Sequence, residues 1–170
     1  ASDQVHSAHQ KSMEMLGLGS KALRLVPTDD AFRMDVAALA RMIAEDRAAG
    51  LQPGCVIATA GPTNTGSIAD LVAIGAVCRR EGVWFHVDGC IGAFLRLAPT
   101  SRGLVEGIEM ADSLALDPHK WLFAPYDSCA LVYRRPELAK AAHQQSASYL
   151  DHVDRHGLRH RGVVEPIGFA

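Results

Sequence analysis

Two short, nearly unbroken apolar runs constrain this chain most: Cys55-Val56-Ile57-Ala58-Thr59-Ala60 and Val83-Trp84-Phe85-His86-Val87. A run of this kind marks a strand buried on both faces, and such strands belong to parallel sheets covered by helices. Between the two runs, Ser67 followed three residues later by Asp70 resembles a capping box opening a helix to Arg80. On that helix Leu71, Ile74, Gly75 and Cys78 share one side. Strand, helix and strand in succession predict an α/β domain around a mostly parallel sheet with flanking helices.

The remaining segments fit the same alternation. Gln4 to Leu16 reads as a helix stopped by Gly17, and Ala22 to Val26 as a short strand stopped by Pro27. Asp35 caps a helix running to Ala49, with Val36, Leu39, Ala40 and Ile43 on its apolar face. Ser113–Leu116 and Ser128–Tyr133 are two further strands, and a helix begins at Pro136. In a sheet of this type ligands sit beyond the carboxyl ends of the strands. Thr63, Asp88 and Lys120 all fall at or just past such ends, so one shared pocket is expected.

Composition narrows the partners. A net charge of −2 provides no basic footprint for nucleic acid, and no apolar run approaches membrane-spanning length. The cysteines, Cys55, Cys78, Cys90 and Cys129, are widely spaced without a Cys-x-x-Cys pair, which fits reduced cytoplasmic thiols. The chain opens on Ala1 and stops at Ala170 without a closing element, and is read as a fragment of a longer protein.

Lys120 lies 32 positions after Asp88, in Asp117-Pro118-His119-Lys120-Trp121. An amine and a carboxylate delivered to one pocket by two buried strands is what a pyridoxal 5'-phosphate enzyme requires. The amine forms a Schiff base with the cofactor aldehyde, and the carboxylate keeps the pyridine nitrogen protonated. A buried aspartate needs such a partner, because an unpaired charge is expensive to bury. His6 is placed to stack on a flat ring, and Thr63 to hydrogen-bond the cofactor. His152, His156 and His160 fall four residues apart, but Gly157 interrupts them and no carboxylate completes a ligand set, so no metal is expected.

The ordered motifs Ser2-Asp3-Gln4-Val5-His6-Ser7, Gly61-Pro62-Thr63-Asn64-Thr65-Gly66, His86-Val87-Asp88 and Asp117-Pro118-His119-Lys120-Trp121 resemble those of the group II pyridoxal-phosphate-dependent amino-acid decarboxylases. The resemblance covers nearly the whole chain. It implies the aspartate-aminotransferase-like (fold type I) large domain, a seven-stranded mostly parallel sheet of which this chain holds an incomplete part. Residues 1–142 would be the cofactor-binding portion, and residues 143–170 the mobile catalytic loop with the start of the next segment.

Residue by residue, the resemblance makes Lys120 the Schiff-base lysine and Asp88 the partner of the ring nitrogen. His6 becomes the histidine on the ring face that also meets the substrate carboxylate. Thr63 lies beside the cofactor, Cys90 against its face, and Ser113 and His119 near its phosphate. Tyr149 matches the loop tyrosine that protonates the substrate carbon after carbon dioxide leaves. The chain departs from the family at Pro62, commonly threonine, and at Gly89-Cys90-Ile91, where two alanines and an aromatic residue are usual.

The function implied is decarboxylation of an L-amino acid, an aromatic one, to amine and carbon dioxide by a cytoplasmic homodimer. Alternatives on the same fold are transamination, decarboxylation-linked oxidative deamination to an aldehyde, or an inactive fragment.

Overall fold

The computed structural model describes residues 1–143. The chain divides into two compact units, Ala1–Val132 and Tyr133–Ala170. A four-stranded sheet, in the first unit except for the last residue of its fourth strand, is built from β1 (Cys55–Thr59), β2 (Trp84–Asp88), β3 (Ser113–Leu116) and β4 (Ala130–Tyr133), in that spatial order. β1 pairs with β2 and β2 with β3, both in parallel. Of the second unit, the described part is the last residue of β4 and a helix, Pro136–His143.

Three helices precede or join these strands: α1 (Ser7–Met15), α2 (Val36–Ala48) and α3 (Leu71–Glu81). α3 is the crossover between β1 and β2 and packs on both. It buries Leu71, Ile74, Val77 and Cys78. Beneath it lie Phe85 and Val87, exposed by only 1% and 0%, with Val56 and Ala58 of the neighbouring strand. α2 adds Ala38, Leu39 and Ile43 to the same core, and Arg47 on α2 reaches Glu81 on α3 at 2.6 Å.

The caps follow local chemistry. Asp35 accepts from the Ala38 N–H and opens α2, as its sequence position predicts. α3 is capped by Asp70, which accepts from the Ala73 N–H; Ser67 does not cap it. The Ser67 hydroxyl donates to the Phe32 carbonyl and lies 3.0 Å from Thr65 Oγ1, which places it in the preceding loop. α1 begins at Ser7 rather than Gln4, because His6 takes the N-cap position and its Nδ1 accepts from the Ala8 N–H.

The strand expected over Ala22–Val26 is absent. A short 3₁₀ turn occupies Ser20–Ala22, and Val26 alone makes an isolated parallel bridge to Ser2. Val26 is buried while Leu25 stays half exposed, so one residue, not an alternating face, meets the core. No helix among the described residues is long and apolar enough to cross a membrane.

Candidate functional site

The register of the parallel strands sets Thr59, Asp88 and Ala115 in one row at their carboxyl ends. Just beyond that row opens a cavity of about 290 Å³. β1 and its adjoining loop contribute Thr59, Gly61, Pro62 and Thr63, and β2 with its adjoining turn contributes Asp88, Cys90 and Ile91. β3 and the helical turn next to it supply Ala115, Asp117 and Lys120, while His6 and His9 reach in from the start of α1. The turn after β2 folds tightly onto β1 because Gly92 lacks a side chain. Its N–H donates to the Ala60 carbonyl, and a Cβ there would sit 2.5 Å from that oxygen.

Asp88 is held from two directions. Its Oδ2 lies 3.0 Å from His9 Nε2, and its Oδ1 accepts from the Cys90 N–H at 3.3 Å. Burial alone would raise its pKa, but the bonds from His9 and Cys90 outweigh that and hold the carboxyl down at about 2. Asp88 is therefore a carboxylate at any ordinary pH, ready to accept a further donor.

Lys120 stands on a single helical turn, α4 (Pro118–Trp121), that comes directly after β3. Its Nζ lies 2.8 Å from Asp117 Oδ2. Burial lowers the amine's pKa, but the hydrogen bond to Asp117 and the negative charge around it win, and the group ends above an ordinary lysine. Burial also pushes the Cys90 thiol far up, with the nearby Asp88 and Asp117 carboxylates adding to the effect, so it remains S–H.

Five of the residues singled out from the sequence, His6, Thr63, Asp88, Cys90 and Lys120, line this one cavity. Ser113 and His119 do not. The Ser113 hydroxyl lies at the other end of β3, where it accepts from Trp84 Nε1 at 2.9 Å and meets His86 Nδ1 at 2.8 Å. The His119 ring is engaged away from the cavity. Its Nδ1 donates to the Ser128 carbonyl at 2.6 Å, and its ring packs edge-on against Tyr126. Tyr149 and the spaced histidines His152, His156 and His160 lie outside the described residues.

Three cavity residues carry no signal of their role in the sequence: His9, Asp117 and Thr59. His9 comes three positions after His6, a spacing that puts both on one helix face. Asp117 precedes Lys120 by three. Thr59 Oγ1 is the one buried side-chain polar atom without a partner among the described residues.

This cavity offers a lysine held as an ammonium beside Asp117, nucleophilic once it gives up its proton, together with an ionised Asp88 carboxylate, two imidazoles, and small and apolar side chains. Such a donor set suits a flat, aldehyde-bearing heterocycle with a basic ring nitrogen.

Residues 1–163 match the family described as pyridoxal-dependent decarboxylase conserved domain. The chain is 42% identical over 140 residues to an aromatic-L-amino-acid decarboxylase of Bacillus atrophaeus, covering 82% of this chain and 29% of that protein. It is 41% identical over 155 residues to a mouse cysteine sulfinic acid decarboxylase, covering 91% and 31% respectively. Among solved structures, Oryza sativa TDC with PLP and tryptamine superimposes with a TM-score of 0.84 at 29% identity, over 92% of this chain and 33% of that one. The chain thus spans about a third of the length of the curated relatives it matches.

Proposed function

The chain belongs to the family of pyridoxal-dependent decarboxylases, and we propose that the protein converts an aromatic L-amino acid to its amine and carbon dioxide. The observation that carries this reading is that Lys120 and Asp88 line the same cavity. The cavity fits pyridoxal 5'-phosphate on its own chemistry: an amine for the aldehyde, a carboxylate fixed in its ionised form for the ring nitrogen, and an orphaned hydroxyl, Thr59 Oγ1.

Lys120 would hold the group through Nζ, Asp88 through its carboxylate at the ring nitrogen, and His6 along the ring face. Thr63 and Cys90 would flank it. Ser113 and His119, whose polar atoms are engaged elsewhere, would support the neighbouring strand and turn. Once bound, the cofactor supplies an electron-accepting ring for the pair released when the Cα–carboxylate bond breaks.

The chain's own groups do the rest. Asp88 stays negative and so favours a proton on the ring nitrogen facing it. His6 would orient the substrate carboxylate, and the family resemblance assigns the proton donor to the substrate Cα to Tyr149, which lies outside the described residues. Apolar Ile91 and Pro62 in the wall keep water from the departing carboxylate.

The preference for an aromatic substrate is supported by the Bacillus relative's name and by the wall itself. Among the described residues no arginine, and no lysine besides Lys120, lines the cavity to pair a second acidic group. A homodimer is the proposed assembly. Trp121, Leu122, Phe123 and Tyr126, next to the site, are exposed by 51%, 49%, 91% and 85%, apolar surface that a second subunit would cover.

The test is to supply the protein with cofactor and assay tryptophan, tyrosine and cysteine sulfinate in parallel. Tryptamine or tyramine with carbon dioxide is the expected product. Turnover confined to cysteine sulfinate, or an aldehyde with ammonia, would overturn the reading.

A further inference from the structure

Aspartate at an N-cap position ordinarily turns its carboxylate back to accept from the helix's own N–H groups. Asp35 and Asp70 both do so, at 2.9 Å each. Asp117 occupies the same position before α4 and makes no such bond. Its carboxylate points into the cavity instead, where Oδ2 lies 2.8 Å from Lys120 Nζ. Two aspartates cap and the third does not: in α4 the His119 and Lys120 N–H groups already donate to the Ser128 and Asp117 carbonyls, which leaves the Asp117 carboxylate for the cavity.

We propose that Asp117 is a positioning residue for Lys120: it holds Nζ inside the cavity and sets the pH at which the ammonium becomes a free amine. Lys120 rests on one isolated helical turn and is about a third exposed, so its stem alone would not fix Nζ. An ion pair three residues back anchors the amine from its own element.

The other titratable groups facing it are few. α1 presents His6 and His9, and β2 with its turn presents Asp88 and Cys90. Of these, Asp88 is already engaged by His9 at 3.0 Å. The Cys90 thiol stays protonated, because burial and the nearby Asp88 and Asp117 carboxylates push its pKa up, so it adds no charge beside the amine. Asp117 is thus the carboxylate left for the lysine.

This assignment rests on the proposed function only for what the amine eventually serves, and its test does not use turnover. The protein, stripped of cofactor, is methylated with formaldehyde and a borane reductant across a pH series. Modification of the Lys120 peptide is read by mass spectrometry, with exposed Lys11 and Lys21 as internal standards.

Asp117→Asn is expected to lower the Lys120 midpoint by about one pH unit, roughly tenfold more reaction at neutral pH, while Lys11 and Lys21 stay put. Asp117→Glu should restore most of the wild-type midpoint. An unchanged midpoint in Asp117→Asn overturns the proposal. Asp88→Asn serves as the second variant: it should move the midpoint less than Asp117→Asn, and an equal or larger shift also overturns the assignment. Separately, borohydride trapping of pyridoxal 5'-phosphate on wild-type Lys120 tests the functional reading, so either idea can fail without the other.

Discussion

The two faces of β2 are built to opposite ends. Phe85 and Val87 point into the helix layer and are almost completely buried among aliphatic neighbours. Trp84, His86 and Asp88, alternating with them, project to the other side. There they meet polar partners: Trp84 and His86 share the Ser113 hydroxyl, and Asp88 takes His9. The rings of His9 and His86 also approach edge-on, with centroids 6.3 Å apart. One strand therefore carries stability on one surface and chemistry on the other. A substitution's effect should accordingly depend on which surface it touches more than on its distance from Lys120.

The sharpest division comes from Lys120→Ala. Turnover and cofactor trapping should vanish, while the urea unfolding midpoint barely moves; a variant that still decarboxylates would break the division. Phe85→Ala tests the opposite surface. It should cost about 3–5 kcal/mol of unfolding free energy, as large-to-small core changes do, with kcat per folded molecule unchanged. A loss below about 1 kcal/mol by urea titration would show that this surface is not the anchor.

Asp88→Asn should lower kcat roughly 100-fold; asparagine still accepts from His9, but the stability that comes from the charge is lost. Its acid behaviour is distinctive. In the folded protein Asp88 ionises at about 2, below the ordinary carboxyl value of 3.8. Its contribution to stability is therefore fully present above pH ~4 and is lost as pH falls through about 2. That contribution is on the order of 2 kcal/mol, and acid unfolding curves of Asp88→Asn should lack it. The smallest effect is expected for Ser113→Ala, about 1 kcal/mol by thermal unfolding, because the hydroxyl's hydrogen bonds with Trp84 Nε1 and His86 Nδ1 are then lost.

Much of the fold was legible because burial writes itself in residue type. β1, β2, α2 and α3 coincide with apolar runs and faces that the core uses directly. The segment ending at Val26 misled for the same reason: its apolar residues look like a strand, yet only Val26 finds a neighbour. In the site, the strand-end positions of Asp88 and Lys120 could be read, since parallel sheets open there.

His9 and Asp117 could not be found in the same way. Their importance comes from where a helix start and a single turn aim their side chains, and a His or Asp three residues from a motif has many ordinary uses. Ser113 and His119 show the converse. A motif position names a neighbour in sequence, whereas hydrogen-bond partners across the sheet decide which way each polar atom turns.

The parallel pairing of Thr59, Asp88 and Ala115 has a consequence for how the molecule tolerates indels. Deleting one residue between Phe85 and Asp88 would put both on the same face, driving either the acid into the greasy helix layer or Phe85 out toward the histidines. Neither half of the strand can be repaired alone. Catalytic competence and foldability are therefore inherited together here, through the parity of a five-residue strand.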